Sequence, residues 1–445
     1  MLRNVGTQRS WLLQCAFVDQ VRGTPRALSL LISGQTAQPG HTGVVLTSES
    51  TMAAMSSSLF WMVAAVFAAP LLARLLRGHA PEVVVLLLLG VLIGPHALGL
   101  ASTTGIEMIK QLGMGLLFLL AGMEIDLKSL AGRQGRWAWT TWTVGFVVAV
   151  AATSAFVPDA ALTQSVALGL AISSTALGTL LPILKDRGLL PSALGRSVLT
   201  HGAVGEIGPV VVMALLLTSH SPLQAGLLMA FFVVVTIAAI VVPTRLLHRA
   251  GLYRVGDSDL SPWSLRTLLR GVMLLLTGLM ALAAILEFDV VLGAFAAGVA
   301  LSRIGGRHAH AMMRSLEQVG FGFFIPMFFV ASGMAIEIAA LAEHPWVFLG
   351  LALLIGVARG LPVFLTEQWA DTGSGLNTTR ERLQLGLYAA TGLPIIVAVT
   401  EVALSSDLMK PATASLLVGA GALTVLAFPF AAQILDRSTP APLPR

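Results

Sequence analysis

One cysteine, Cys15, stands among 445 residues, which excludes a disulfide within the chain and any zinc site built on thiolates. Charge is scarce as well. Only 11% of residues are Asp, Glu, Lys or Arg, less than half the roughly 25% of a soluble domain. No HExxH pair, GxSxG elbow or mid-span aspartate dyad occurs, so the chain is not read as an enzyme and no cofactor is implied. Apolar residues fill the space left by charge: 56% are hydrophobic, and the 44 glycines bring the share to about two thirds. A mean hydropathy of +0.85 spread along the chain excludes a soluble globular protein and implies a polytopic one in a lipid bilayer. The pI near 10.0 therefore reads as basic loops held on one side of the membrane, not as a nucleic-acid surface.

Residues 1–56 differ from the rest: polar, rich in Ser, Thr and Gly, with Arg3, Arg9, Arg22 and Arg26 and no run long enough to span. The run Ala27 to Ser33 is too short for the core of a secretory signal. A disordered tail is expected there, with translation starting at Met52 or Met55. From Ser57 onward, thirteen apolar stretches alternate with polar breaks, at 57–77, 82–100, 107–125, 137–157, 162–184, 194–218, 223–247, 265–287, 289–302, 319–339, 345–367, 382–405 and 411–435. The short ninth leaves twelve as the alternative, but loop charge favours thirteen. The loops after odd-numbered spans, with their flanks and the C-terminus, hold 20 of the 27 basic residues, whereas the even-numbered loops hold Lys110 and Lys410. The N-terminus is then outside and residues 436–445 form a short cytoplasmic tail, in the inner or plasma membrane.

An ionisable residue at bilayer depth is costly and marks a functional site by default. Of the 22 acidic residues nearly all fall in loops or near span ends, including Glu124, Asp126, Glu287, Glu337 and Glu401, and Glu206 alone is central to a span. Among basic residues only Arg359 is comparably deep, which invites a Glu206–Arg359 ion pair. The competing reading of such a pair is a structural bridge between two helices, since buried pairs need not serve function. In Gly205-Glu206-Ile207-Gly208-Pro209 the proline has no N–H for the carbonyl of Gly205, leaving a carboxylate beside a free carbonyl, a seat for a cation. His201 lies about 140° around the helix from Glu206 and reads as a packing histidine.

Two spans look broken. The fifth carries Ser173-Ser174-Thr175 at its centre and the twelfth carries Thr391-Gly392-Leu393-Pro394, the kind of interruption that surrounds a midplane site. Spans 1–6 and 8–13 form two sets related by a seven-span offset, and that odd offset makes the repeats inverted.

The chain resembles the monovalent cation:proton antiporters of the sodium/hydrogen exchanger fold, in the bacterial branch that includes glutathione-gated potassium efflux systems. The resemblance runs from about residue 59 to 435. It rests on Leu88–Pro95, Phe118–Leu127, Ser173–Ala176, Leu292–Gly298 and Phe323–Phe329 in that order. It implies an all-α domain over 57–435 with two discontinuous crossing helices, a mobile core from spans 4–6 and 11–13, a scaffold from the rest, and a homodimer. It also implies ion and proton binding by Glu206 with Ser174, Thr175 and Thr391, Arg359 as charge partner, and helix breaks at Gly205, Gly208, Pro209, Gly392 and Pro394. The family usually has aspartate where Glu206 stands, a neighbouring polar residue where Gly205 stands, and often lysine at Arg359. With about ten residues after the last span, the nucleotide-binding domain of some relatives is expected to be absent.

The expected activity is exchange of protons for Na⁺ or K⁺ by alternating access around Glu206, with no bound metal beyond the transported ion. The alternatives are a transport-silent subunit or sensor, and an organic-anion carrier that uses Arg359.

Overall fold

The computed structural model describes residues 48–75, 81–103, 105–125, 127–156, 161–216, 222–249, 262–304 and 309–437. The tail at 1–47, Asp126 and residues 438–445 lie outside them. Among the described residues the secondary structure is helical throughout: α1 (Ser48–Leu75), α2 (Glu82–Ile93), α3 (Glu107–Glu124), α4 (Leu127–Ala131), α5 (Arg133–Phe156), α6 (Leu162–Ile172), α7 (Leu177–Asp186), α8 (Ala193–Leu216), α9 (Pro222–Arg249), α10 (Pro262–Ile285) and α11 (Val290–Ile304). The second part of the chain continues with α12 (Ala309–Val319), a π turn at Gly320–Phe324, α13 (Ile325–Met334), α14 (Ile338–Glu343), α15 (Pro345–Ile355), a second π turn at Gly356–Gly360, α16 (Leu361–Trp369), α17 (Thr379–Ala389), α18 (Leu393–Ser405) and α19 (Pro411–Arg437).

All thirteen expected spans appear as helix. Nine described segments are long and apolar enough to cross a bilayer, and α2, α9 and α11 contribute shorter apolar stretches. The remaining one is α3, which carries Glu107, Lys110 and Glu124. The eighth and ninth spans are separate. Glu287 adopts a positive φ of 58°, and Asp289 Oδ1 accepts the Val291 N–H at 2.8 Å to start α11, so the turn is built into the local chain. At the other end of the domain, α1 begins at Ser48 and not at 57, because a helix once nucleated on an apolar run extends at little cost through the polar residues before it.

Packing sorts the helices. α3 lies against α11 and α13, α2 against α13, and α10 against α11. Separately, α5 packs on α6 and α8, α15 on α19, α16 on α17, and α18 on α6 and α19. At the α3–α11 contact a side chain on Gly122 would strike the Phe295 carbonyl and one on Gly298 the Leu119 carbonyl, so only small residues let these backbones meet. Burial then separates centre from rim. Over an 18-residue apolar stretch, 78% of the α6–α7 residues and 83% of the α17–α18 residues are buried, against 22% for α1 and 28% for α10. The two broken spans are thus the innermost parts of the protein.

A carboxylate at the crossing of two broken helices

The fifth span breaks because its hydroxyls compete for its own carbonyls. Ser173 and Ser174 donate to Leu170 O (3.3 Å) and Ala171 O (2.7 Å) at the end of α6, and the chain runs non-helically to Ala176 before α7 begins. The twelfth span breaks in a different way. The Thr391 hydroxyl donates to Tyr388 O (2.7 Å), Gly392 takes φ −131°, and Pro394 sits in the first turn of α18, where its missing N–H costs nothing. The two breaks interlock. The Ala176 N–H donates to Thr391 O (2.8 Å), the Ser174 hydroxyl also reaches Gly392 O (3.3 Å), and the Thr175 hydroxyl donates to Ala389 O. A Cβ on Gly392 would stand 2.5 Å from Ser174 Oγ, so glycine is required for this approach.

Glu206 meets the crossing from α8. Its Oε1 accepts the N–H of Leu177, the first residue of α7, at 2.6 Å, which sets a carboxylate on the positive end of a half-helix. Its Oε2 is buried and has no hydrogen-bond partner among the described residues. Pro209 does free the Gly205 carbonyl, but the Thr175 N–H takes it at 3.0 Å. The seat expected beside Glu206 is therefore part of the fold's own bonding: the freed carbonyl ties α8 to the unwound segment. Gly205 leaves room for Thr175 and for Arg359 Nη2, which would lie 2.9 Å from any Cβ placed there, and Gly208 admits the ring of Trp142.

Arg359 is 0% exposed and sits in the second π turn. Its Nε donates to Thr175 Oγ1 (2.9 Å) and its Nη2 to the His201 carbonyl (2.6 Å). The expected ion pair with Glu206 is not formed: no contact within 4 Å joins its carboxylate to the guanidinium, whereas Lys110–Glu401, Arg133–Asp371 and His201–Glu367 do make such contacts. Both charges lie at bilayer depth, but Thr175 intervenes and takes the guanidinium. Ser174, Thr175, Thr391, Gly392, Glu206 and Arg359 are all brought into one neighbourhood, with Thr175 as its hub.

Depth in the sequence missed two buried charges and one contact. Glu367, counted near a span end, is 4% exposed, because the loop after α16 folds back and gives its Oε2 the hydroxyls of Thr372 (2.9 Å) and Ser374 (2.6 Å). His201 packs as expected, 1% exposed, but its Nε2 stands 3.8 Å from Glu367 Oε1. Lys110, assigned to an outer loop, is buried and joins α3 to Glu401 of α18. The turn-forming Thr372-Gly373-Ser374-Gly375, with both glycines at positive φ, was the available signal for the first.

The family described as "Sodium/hydrogen exchanger, transmembrane" matches residues 62–435. The chain is 25% identical over 358 residues to the putative Na(+)/H(+) antiporter YjbQ of Bacillus subtilis, covering 75% of this chain and 57% of that protein. It is 26% identical over 330 residues to the Na(+)/H(+)-K(+) antiporter GerN of Bacillus cereus, covering 70% and 82%. Against the glutathione-regulated potassium-efflux system protein KefC of Salmonella paratyphi B it is 27% identical over 391 residues, covering 85% and 60%. The chain thus spans less than two thirds of YjbQ and KefC. Among solved structures, the sodium proton antiporter MjNhaP1 of Methanocaldococcus jannaschii superposes with a TM-score of 0.63 at 18% identity, over 86% of this chain and 98% of that one.

Proposed function

The chain belongs to the sodium/hydrogen exchanger family, and on that premise we propose that it exchanges protons for a monovalent cation, Na⁺ or K⁺, by alternating access around Glu206. One observation carries the reading. Glu206 Oε2 is buried, unpartnered, and held beside two interlocked helix breaks by a bond on its sister oxygen. A carboxylate in that position has one free edge, and a proton or a desolvated cation satisfies it in turn. Protons and cations then compete for one site, which is the minimum that antiport requires.

In this reading Leu177 N–H fixes the carboxylate, and Ser174, Thr175 and Thr391 hold the crossing that aims it. Arg359 is a fixed positive charge that steadies Thr175, and because it does not deprotonate it carries no proton itself. The helices of spans 4–6 and 11–13 move as a core against a scaffold made of the others. The protein works as a homodimer in the plasma membrane, with its N-terminus outside and its C-terminus in the cytoplasm. An organic-anion carrier would need the face of the guanidinium to meet a carboxylate, whereas Arg359 gives Nε to Thr175 and Nη2 to the His201 carbonyl, which leaves Nη1 alone unbonded among the described residues.

The test is dequenching of a pH-sensitive dye in proteoliposomes on addition of Na⁺, K⁺ and Li⁺ in turn. Exchange is expected with Na⁺ or K⁺ and is expected to vanish in Glu206→Gln, whose amide has the shape of the acid but neither binds nor releases a proton. A folded Glu206→Gln protein with wild-type flux would remove Glu206 from the mechanism, and a wild-type protein silent with all three ions would leave the transport-silent subunit.

A further inference from the structure

Five residues before Glu206 on the same helix, a second buried pair of titratable side chains is left incompletely bonded. Glu367 Oε1 and His201 Nε2 stand 3.8 Å apart, and neither has a hydrogen-bond partner among the described residues. The other atoms of the pair are engaged. His201 Nδ1 lies 3.5 Å from Thr141 Oγ1, and Glu367 Oε2 accepts from Thr372 and Ser374. A closed charge-assisted hydrogen bond is about 2.7–2.9 Å long, so these two atoms are in ionic contact with their hydrogen bond unmade. A gap of 3.8 Å closes with a small rotation about the soft second torsion of the imidazole.

The pair is also wired in both directions. On one side Ser374 is half-buried, in a loop whose neighbouring Asp371 is exposed. On the other, the His201 carbonyl accepts from Arg359, whose Nε bonds Thr175 at the crossing, and Glu206 follows about 7.5 Å along the helix axis. The charged groups acting on the imidazole are Glu367 from α16 and Arg359 from the π turn, while α5 presents the neutral Thr141. Among the described residues, His201 is the basic group that acts on Glu367.

We propose that His201 and Glu367 form a second proton-binding site, loaded from the loop at 370–378 and coupled to the Glu206 site through Arg359 and Thr175. One proton enters from solvent at that loop and is shared between Glu367 Oε1 and His201 Nε2; no other bond forms or breaks. The charge on the imidazole then changes the field on a guanidinium that holds the crossing together. This rests on the antiport reading for its consequence in transport, but not for the existence of the site.

Two measurements on the full chain in phosphatidylethanolamine and phosphatidylglycerol vesicles test it. In Glu367→Gln the pH of half-maximal exchange is expected to move by about one unit, the size of effect that loss of a close charge partner has on a titrating group, with Glu367→Asp restoring most of it. A Glu367→Gln profile that overlays the wild type at every pH would overturn the proposal. Infrared difference spectra between about pH 5 and 8 are then recorded in the Glu206→Gln protein, where exchange is not needed. An imidazole band that disappears on adding His201→Gln supports the second site, and its absence overturns it. If Glu206→Gln still exchanges, the primary reading fails while this band remains to be scored. If Glu367→Gln does not fold, the spectra decide alone.

Discussion

Where the fifth span breaks, side-chain hydroxyls and backbone N–H groups face the crossing; where the twelfth breaks, backbone carbonyls do. Ser174, Thr175 and Ala176 donate, and Ala389, Thr391 and Gly392 accept. The half-helix starts differ in the same sense. The N-terminus of α7 is met by Glu206, whereas that of α18 has Pro394 in its first turn and no side-chain cap. The two breaks occupy equivalent places in an inverted repeat, but their chemistry is opposed. A symmetric crossing would offer two equal sites. This one has a donor arm that meets an acid and an acceptor arm that does not, which in the proposed reading makes Glu206 the carboxylate that binds.

Removing the cation that holds the donor arm is the hardest blow to that asymmetry. Arg359→Ala deletes the donors to Thr175 and to the His201 carbonyl and leaves a cavity in a fully buried site, for an expected loss of about 2–5 kcal/mol. Arg359→Lys keeps the charge but cannot reach both acceptors, so a loss of about 1–2 kcal/mol is expected. Thermal melts of the two variants in detergent rank them, and equal melting temperatures would show that the guanidinium geometry does not matter.

The acceptor arm is attacked through its glycine. Gly392→Ala puts a methyl group on Ser174, and Gly205→Ala puts one on Thr175, with an overpacking cost of about 1–3 kcal/mol each. Gly226→Ala on α9 has nothing within 4 Å of the new methyl group and is the control, expected to be neutral or to gain up to about 1 kcal/mol from helix propensity. If all three melt together, the crossing is looser than its contacts imply.

How far the sequence carried follows from what depth along a span encodes. Spans, breaks and the isolated acid at 206 are one-dimensional features: apolar runs of bilayer length, residues that cannot continue a helix, and one charge far from any end. Direction around a helix is a different quantity. Glu206 and Arg359 share a depth and not a facing, so the ion pair expected between them gave way to Thr175. Burial by tertiary folding is invisible in the same way. Glu367 looked terminal until the loop at 370–378 closed over it, and Lys110 looked like a loop residue until α18 supplied Glu401.

The smallest expected effect is the sharpest test of the arrangement. If Glu206 and Arg359 were a buried ion pair, removing either would strand the other, and the two substitutions would be strongly non-additive, since losing one partner of such a pair costs about 3–5 kcal/mol while losing both costs far less. In the structure each has its own partner: Glu206 takes the Leu177 N–H, and Arg359 takes Thr175 and His201. The links between them are indirect: one runs through Thr175, whose N–H bonds the Gly205 carbonyl next to the acid, and one through the His201 carbonyl on the same helix as Glu206. A double-mutant cycle of Glu206→Gln and Arg359→Ala, read by thermal or denaturant unfolding in detergent, is therefore expected to give an interaction energy below about 0.5 kcal/mol, the range of sites that share no direct contact. A value of 2 kcal/mol or more, on the order found for groups within one ion-pair network, would restore the direct pair and make the two arms of the crossing one electrostatic unit.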